Sequence, residues 1–208
     1  MSEHLSNVIQ ANHEWASKQD AEFFSKLASG QSPKVLYIGC ADSRVPPTFV
    51  LNQRPGDLFV HRNIANVVVH SDLSCLSVLQ YAVQVLKVEY VIVCGHTHCG
   101  GVRAAMGDHS YGLIDNWLRP IKDIIVEHSA ELDALADAQA RETRCIELNA
   151  IHSMRNLAHT DIVQSAWKRG QKLALRAWVY DIATGKARDV GENIDGPDDV
   201  NKVYLFGK

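Results

Sequence analysis

The sequence predicts an α/β fold: a mainly parallel central sheet flanked by helices, with an N-terminal helical arm and a C-terminal antiparallel edge. Three observations carry that reading. The runs Val35–Gly39 and Tyr90–Cys94 are short and apolar throughout, as strands are when helices cover both faces of a parallel sheet. Strand, loop, strand, helix, strand and helix then follow one another through the first half of the chain. After Gly170 the pattern changes to alternation over Leu173–Tyr180, a Thr184-Gly185 turn and a returning Lys186–Val190.

Taken in order, residues 3–29 predict one helix that begins near Ser6 or Asn7. Its apolar positions Val8, Ile9, Trp15, Phe23, Phe24 and Leu27 do not trace a single stripe, so it packs on two sides, one of them another subunit. Gly30-Gln31-Ser32-Pro33 stops it before the first strand, Val35–Gly39. Pro46-Pro47 ends regular structure after that strand, Arg54-Pro55-Gly56-Asp57 is a turn, and Leu58–His61 is the second strand. Asp72 caps a helix running to Lys87, with Leu73, Leu76, Leu79, Val83 and Leu86 on one face. Tyr90–Cys94 is the third strand, and Gly100-Gly101 opens another helix. Leu113 to about Gly170 is helix-rich, with a charged middle over 127–144 and a Thr160-Asp161 cap before Ile162–Lys168. Val203–Phe206 is apolar but too short to assign. No linker or repeat divides the 208 residues, which read as one domain, 1–208, with 1–29 as its arm.

Composition narrows the classes. Apolar residues make up 46% and charged residues 22%, which is ordinary for a globular domain. A net charge of −3 gives no reason to expect a nucleic acid or an anionic membrane as partner. The start, MSEHLSNVIQANHEW, lacks the basic-then-apolar order of a signal peptide, and no apolar run approaches the ~20 residues that span a bilayer. A cytoplasmic location is the default expectation. Five cysteines, an odd number, do not suit a disulfide framework; Cys75, Cys94 and Cys145 read as small buried hydrophobes.

Chemistry concentrates in two segments, each directly behind a strand: Cys40-Ala-Asp-Ser-Arg44 and Cys94-Gly-His-Thr-His-Cys99. They bring two thiolates, imidazole and carboxylate to one end of the sheet. That donor set selects Zn²⁺ over magnesium, calcium or manganese. Cys40 and Cys99 with one histidine make three ligands, and the fourth is Asp42, water or a second histidine. His96 lies two residues past the strand end, with Gly95 freeing the turn. His98 is adjacent to Cys99, and neighbours chelate one tetrahedral ion poorly, so His96 is favoured and His98 lines the pocket. Arg44 offers Asp42 a competing bidentate partner.

CADSRVPP (Cys40–Pro47), PGDLFVHRNIAN (Pro55–Asn66), SVLQYAV (Ser77–Val83) and GHTHCGG (Gly95–Gly101) together resemble a β-class carbonic anhydrase, with the bacterial members nearest. The similarity runs from about Gln31 through Asp181. It implies one zinc per chain held by Cys40, His96 and Cys99, and reversible hydration of CO₂ to bicarbonate by zinc-bound hydroxide. It implies an Asp42–Arg44 dyad, and a CO₂ pocket matching Gln31, Phe59, Ile64 and Tyr81 that two subunits share. It also implies a homodimer built partly from the N-terminal helix and often paired into a homotetramer. In one branch the aspartate at the Asp42 position displaces water on zinc and closes the site; for this chain that closure is expected below about pH 8. That branch resembles this chain at Val45 and carries a bicarbonate regulatory site of tryptophan, arginine and tyrosine. Arg62 and Tyr180 match two of these, and Tyr37 stands where the tryptophan would be. Relatives with the same ligands hydrolyse carbonyl sulfide or carbon disulfide, which is the alternative substrate class.

Overall fold

The computed structural model describes residues 2–207 and divides into two units, Met1–Ser32 and Pro33–Lys208. In the first unit the single helix expected over 3–29 is two, α1 (Glu3–Ser17) and α2 (Ala21–Ala28). The break falls at Asp20, which leaves the helical region (φ −78°, ψ 163°) and accepts the Phe23 amide at 2.6 Å as an N-cap. That break folds the chain so that Trp15, Phe23 and Phe24 meet edge to face, with ring centroids 5.2–6.2 Å apart. No residue of either helix is buried, and Leu5, Val8, Ile9, Trp15 and Phe24 stay exposed.

The second unit is built on five strands: β1 (Val35–Cys40), β2 (Leu58–Asn63), β3 (Tyr90–His96), β4 (Ala174–Asp181) and β5 (Lys186–Ile194). Their order is β2-β1-β3-β4-β5, parallel up to β4, with β5 antiparallel on the edge. The α/β expectation and its antiparallel edge are therefore realised. Gly185, at φ +69°, makes the turn between β4 and β5. Leu36, Ile38, Val91, Val93, Leu175 and Ala177 point to one face, where a large cluster buries Leu79, Met154 and Leu157 completely. Tyr37, Ile92 and Cys94 point to the other and form a smaller cluster with Leu51, Trp178 and Tyr180.

Ten α-helices are found among the described residues. Besides α1 and α2 they are α3 (Pro47–Val50), α4 (Leu73–Gln80), α5 (Gly100–Met106), α6 (Leu113–Trp117), α7 (Arg119–Glu127), α8 (Ser129–Asp133), α9 (Ala138–Ala158) and α10 (Asp161–Lys168). The long α9 lies against β3 and β4. Both expected caps are present: Asp72 accepts the Ser74 and Cys75 amides, and Thr160 accepts that of Val163. Pro46-Pro47 does not end regular structure, because Pro47 sits in the first turn of α3, where its missing amide costs nothing.

The face expected on α4 holds apart from its first position: Leu79 and Val83 are buried, Leu76 and Leu86 pack against the large cluster, and Leu73 in the first turn is 77% exposed. The helix expected to reach Lys87 ends at Gln80 and continues as a π-turn over Tyr81–Val85, closed by the Leu86 amide on the Tyr81 carbonyl at 3.0 Å. Among the described residues no helix is long and apolar enough to cross a membrane.

Candidate metal centre

The centre forms because β1 and β3 are adjacent and parallel, paired through Gly39↔Cys94, so both motifs leave the sheet at the same end. Close approach requires glycine at two of these positions. A Cβ on Gly39 would lie 2.4 Å from Cε1 of Tyr37, and one on Gly95 would lie 2.8 Å from Cγ2 of Ile146 on α9. Gly95 is not among the residues with positive φ, so it serves packing and not the freedom of the turn. β3 extends beyond Cys94 to include His96, which makes that histidine a strand residue.

Cys40, His96 and Cys99 offer one donor atom each, all within 4.8 Å of one another and all buried. The two sulfurs are 4.0 Å apart. His96 Nδ1 donates to the Thr97 carbonyl at 2.9 Å, which fixes the tautomer and leaves the Nε2 lone pair free. Nε2 is buried and has no hydrogen-bond partner. A fully buried imidazole nitrogen facing two thiols is costly unless something electrophilic occupies the space between them. The thiols respond to the same crowding. The hydrogen bond between them lowers the pKa of Cys40 and raises that of Cys99, because a second thiolate beside the first is disfavoured. A cation between them would let both ionise. Two thiolates and an imidazole suit Zn²⁺, and the residues present fit it.

Asp42 stands beside this group. Its Oδ1 accepts Arg44 Nε at 2.9 Å and the Arg44 amide at 2.9 Å, and its Oδ2 accepts Arg44 Nη2 at 2.7 Å. Those hydrogen bonds from Arg44 hold the Asp42 carboxyl far below the usual range, so it is ionised throughout. Oδ2 is also 3.7 Å from His96 Nε2. Here Asp42 is paired with Arg44, beside the three-donor group and not part of it.

The other expected site residues are placed as follows. Phe59 and Tyr81 stack with centroids 5.7 Å apart, and both Tyr81 and Ile64 are partly open to solvent, at 46% and 39%. Gln31 lies in the N-terminal unit and is exposed. Tyr37 is buried, its pKa raised by desolvation beside Cys94. Arg62 donates Nε to the Cys40 carbonyl at 2.7 Å and Nη2 to the Asp42 carbonyl at 2.5 Å. Tyr180 accepts the Thr97 amide on its backbone carbonyl at 2.9 Å, and its side chain belongs to the Tyr37 cluster together with Trp178.

Several contributors are invisible in the two motifs. The Ala65 amide donates to the Cys40 sulfur at 3.4 Å, and Asn149 of α9 holds the Ala65 carbonyl at 2.8 Å. Ala65 and Asn66 adopt left-handed φ of 60° and 48° to do this, a strained conformation that clusters at functional sites. Thr97 donates to Asp181 at 3.0 Å, tying the exit of β3 to the end of β4.

Comparison with known proteins gives a consistent result. The family model described as "Carbonic anhydrase" matches residues 35–187. A carbonic anhydrase of Emericella nidulans is 45% identical over 207 residues, covering 97% of this chain and 90% of that protein. A tetrameric β-carbonic anhydrase of Sordaria macrospora superposes with a TM-score of 0.88 at 37% identity, over 93% of this chain and 100% of that one. A Coccomyxa β-carbonic anhydrase in complex with acetazolamide gives 0.89 at 37% identity, over 95% and 91%. The narrower bacterial sub-branch draws no support from these relatives.

Proposed function

The chain belongs to the β-carbonic anhydrase family, and from that premise we propose that Cys40, His96 and Cys99 hold one catalytic zinc ion per chain. The activity is the reversible hydration of CO₂ to bicarbonate and a proton. The observation that carries the ligand assignment is the buried, partnerless His96 Nε2 facing the Cys40 and Cys99 sulfurs. Zinc on such a set supplies a Lewis acid that brings the pKa of water down to about 7.

The chain's own residues do the rest. Asp42 is permanently ionised and immobilised by the Arg44 fork, so it can accept a hydrogen bond from the attacking water and orient it. Arg44 stays charged and keeps the carboxylate from drifting. With zinc bound, Asp42 would have the option of leaving Arg44 to serve as a ligand and close the site; the 3.7 Å between its Oδ2 and His96 Nε2 supports that reading. Phe59, Ile64 and Tyr81 hold CO₂ in an apolar pocket. The exposure of Ile64 and Tyr81 in the single chain supports a pocket completed by a second subunit. The assembly is a homodimer, paired to a homotetramer. The exposed apolar residues of α1 and α2 and the tetrameric Sordaria relative support that reading.

The test combines zinc content with CO₂ hydration. Cys40→Ala, Cys99→Ala and His96→Ala should each lose zinc and activity together, while His98→Ala keeps its zinc. Full zinc occupancy in Cys99→Ala would remove that residue from the site. Measuring carbon disulfide hydrolysis beside CO₂ hydration separates the alternative substrate class; faster turnover of carbon disulfide would overturn the assignment.

A further inference from the structure

His98 has no role as a ligand, yet it sits between His96 and Cys99 with a left-handed φ of 57°. An imidazole-bearing residue is strained there, where glycine would not be. Its side chain is held all the same. Arg103 Nη2 lies 2.6 Å from His98 Nδ1, and because a guanidinium can only donate, Nδ1 is the acceptor and the ring proton is on Nε2. Arg103 is itself held by Glu142, whose Oε2 accepts its Nε at 2.7 Å. Glu142 belongs to α9, is 8% exposed, and its other oxygen has no partner, so its placement is not explained by solvation.

On its other side, the His98 backbone carbonyl accepts Arg44 Nη2 at 3.1 Å. The same Nη2 donates to Asp42 Oδ2 at 2.7 Å. Arg44 is half exposed, so this carbonyl is the anchor that aims its fork. A continuous path of short hydrogen bonds thus runs from α9 through Glu142, Arg103, His98 and Arg44 to Asp42.

We propose that Glu142, Arg103 and His98 form a positioning relay that holds the strained turn before Cys99 and, through its carbonyl, aims Arg44 at Asp42. This rests on the reading of Asp42 and Arg44 given above. None of the three touches the reacting atoms. The relay works by geometry: α9 is a rigid 21-residue helix, and the relay transmits its position to a loop that the backbone alone would not hold in this conformation.

The deciding variants are at His98, in the zinc-loaded full chain. His98→Gly removes the acceptor and the strain together, so a residue of merely structural value would leave the protein as stable or more stable and fully active. The relay predicts an unchanged or higher melting temperature, a kcat lower by roughly tenfold, and zinc release to a chelator that is several-fold faster. His98→Asn should restore both toward the wild type, because asparagine tolerates the left-handed region and carries an acceptor oxygen where His98 carries Nδ1. Arg103→Lys keeps a charge beside Glu142 but cannot bridge Glu142 and His98, and should resemble His98→Gly. Wild-type kcat and zinc release in His98→Gly would overturn the relay alone, as would a His98→Asn protein no better than His98→Gly. A wild-type protein that neither holds zinc nor hydrates CO₂ would overturn the reading beneath it as well.

Discussion

Replacing Gly95 by alanine places a methyl group where β3 crosses α9, one residue before a proposed zinc ligand. The added Cβ would lie 2.8 Å from Ile146 Cγ2, 3.5 Å from the Ile146 carbonyl and 3.7 Å from Asn66 Oδ1. Ile146 is 1% exposed in the middle of α9, so the contact cannot be relieved by swinging a side chain into solvent. Reaching ordinary contact needs the two groups to move roughly 0.6 Å further apart, and overpacking on this scale costs about 1–3 kcal/mol. For a chain of this length that lowers the melting temperature by roughly 2–4 °C per kcal/mol. The strand end must give, because the helix is anchored along its length, and His96 moves with it. A misplacement of about 1 Å can cost ~100-fold in rate, so a shift of half that should reduce kcat about tenfold. A partner variant makes the test specific. Ile146→Ala alone should cost about 2–5 kcal/mol as a cavity, yet it removes the methyl that Gly95→Ala strikes. The double variant should therefore be more stable than the sum of the singles by about 1–3 kcal/mol. Denaturant midpoints, zinc release and stopped-flow CO₂ hydration on the four proteins supply the measurements. Strict additivity, or a wild-type Gly95→Ala enzyme, would refute the close-approach explanation.

Three further outcomes are expected. Arg44→Ala should keep its zinc and lose CO₂ hydration, because Asp42 loses the fork that draws it from the metal; an active Arg44→Ala enzyme would remove the dyad. Deleting residues 1–28 should give aggregates or monomers of low activity on size-exclusion chromatography, since α1 and α2 expose apolar residues that a subunit interface would cover, and a soluble, fully active product would contradict this. Burial lowers the pKa of His152 below its ordinary value, so the folded chain keeps this imidazole neutral while the unfolded chain protonates it near pH 6.5. Stability should accordingly fall as the pH drops from about 7.5 to about 5.5. His152→Gln should make that fall shallower in denaturant melts at both pH values, and an unchanged slope would exclude His152 as a contributor.

What the sequence determined by itself was local. Apolar runs of five residues marked β1 and β3, Asp72 and Thr160 marked helix starts, and the Thr184-Gly185 turn marked the antiparallel edge. Cys40, His96 and Cys99 were legible because metal donors need particular chemistry directly behind a strand, and both chemistry and spacing are written in the chain. What depends on distant packing was not. The arm breaks at Asp20 because a capped turn lets three aromatic rings meet, and no spacing rule contains that contact. The π-turn over Tyr81–Val85 that follows α4 is a hydrogen-bond choice that residue periodicity does not encode. Gly95 looked like a source of turn freedom, and its real constraint is Ile146, 51 positions away in the sequence and in van der Waals reach in space. Arg103, Glu142, Ala65 and Asn149 carry no motif of their own. They support the centre only because the sheet order β2-β1-β3-β4-β5 and the packing of α9 across it bring their hydrogen-bonding atoms to the ends of β1 and β3.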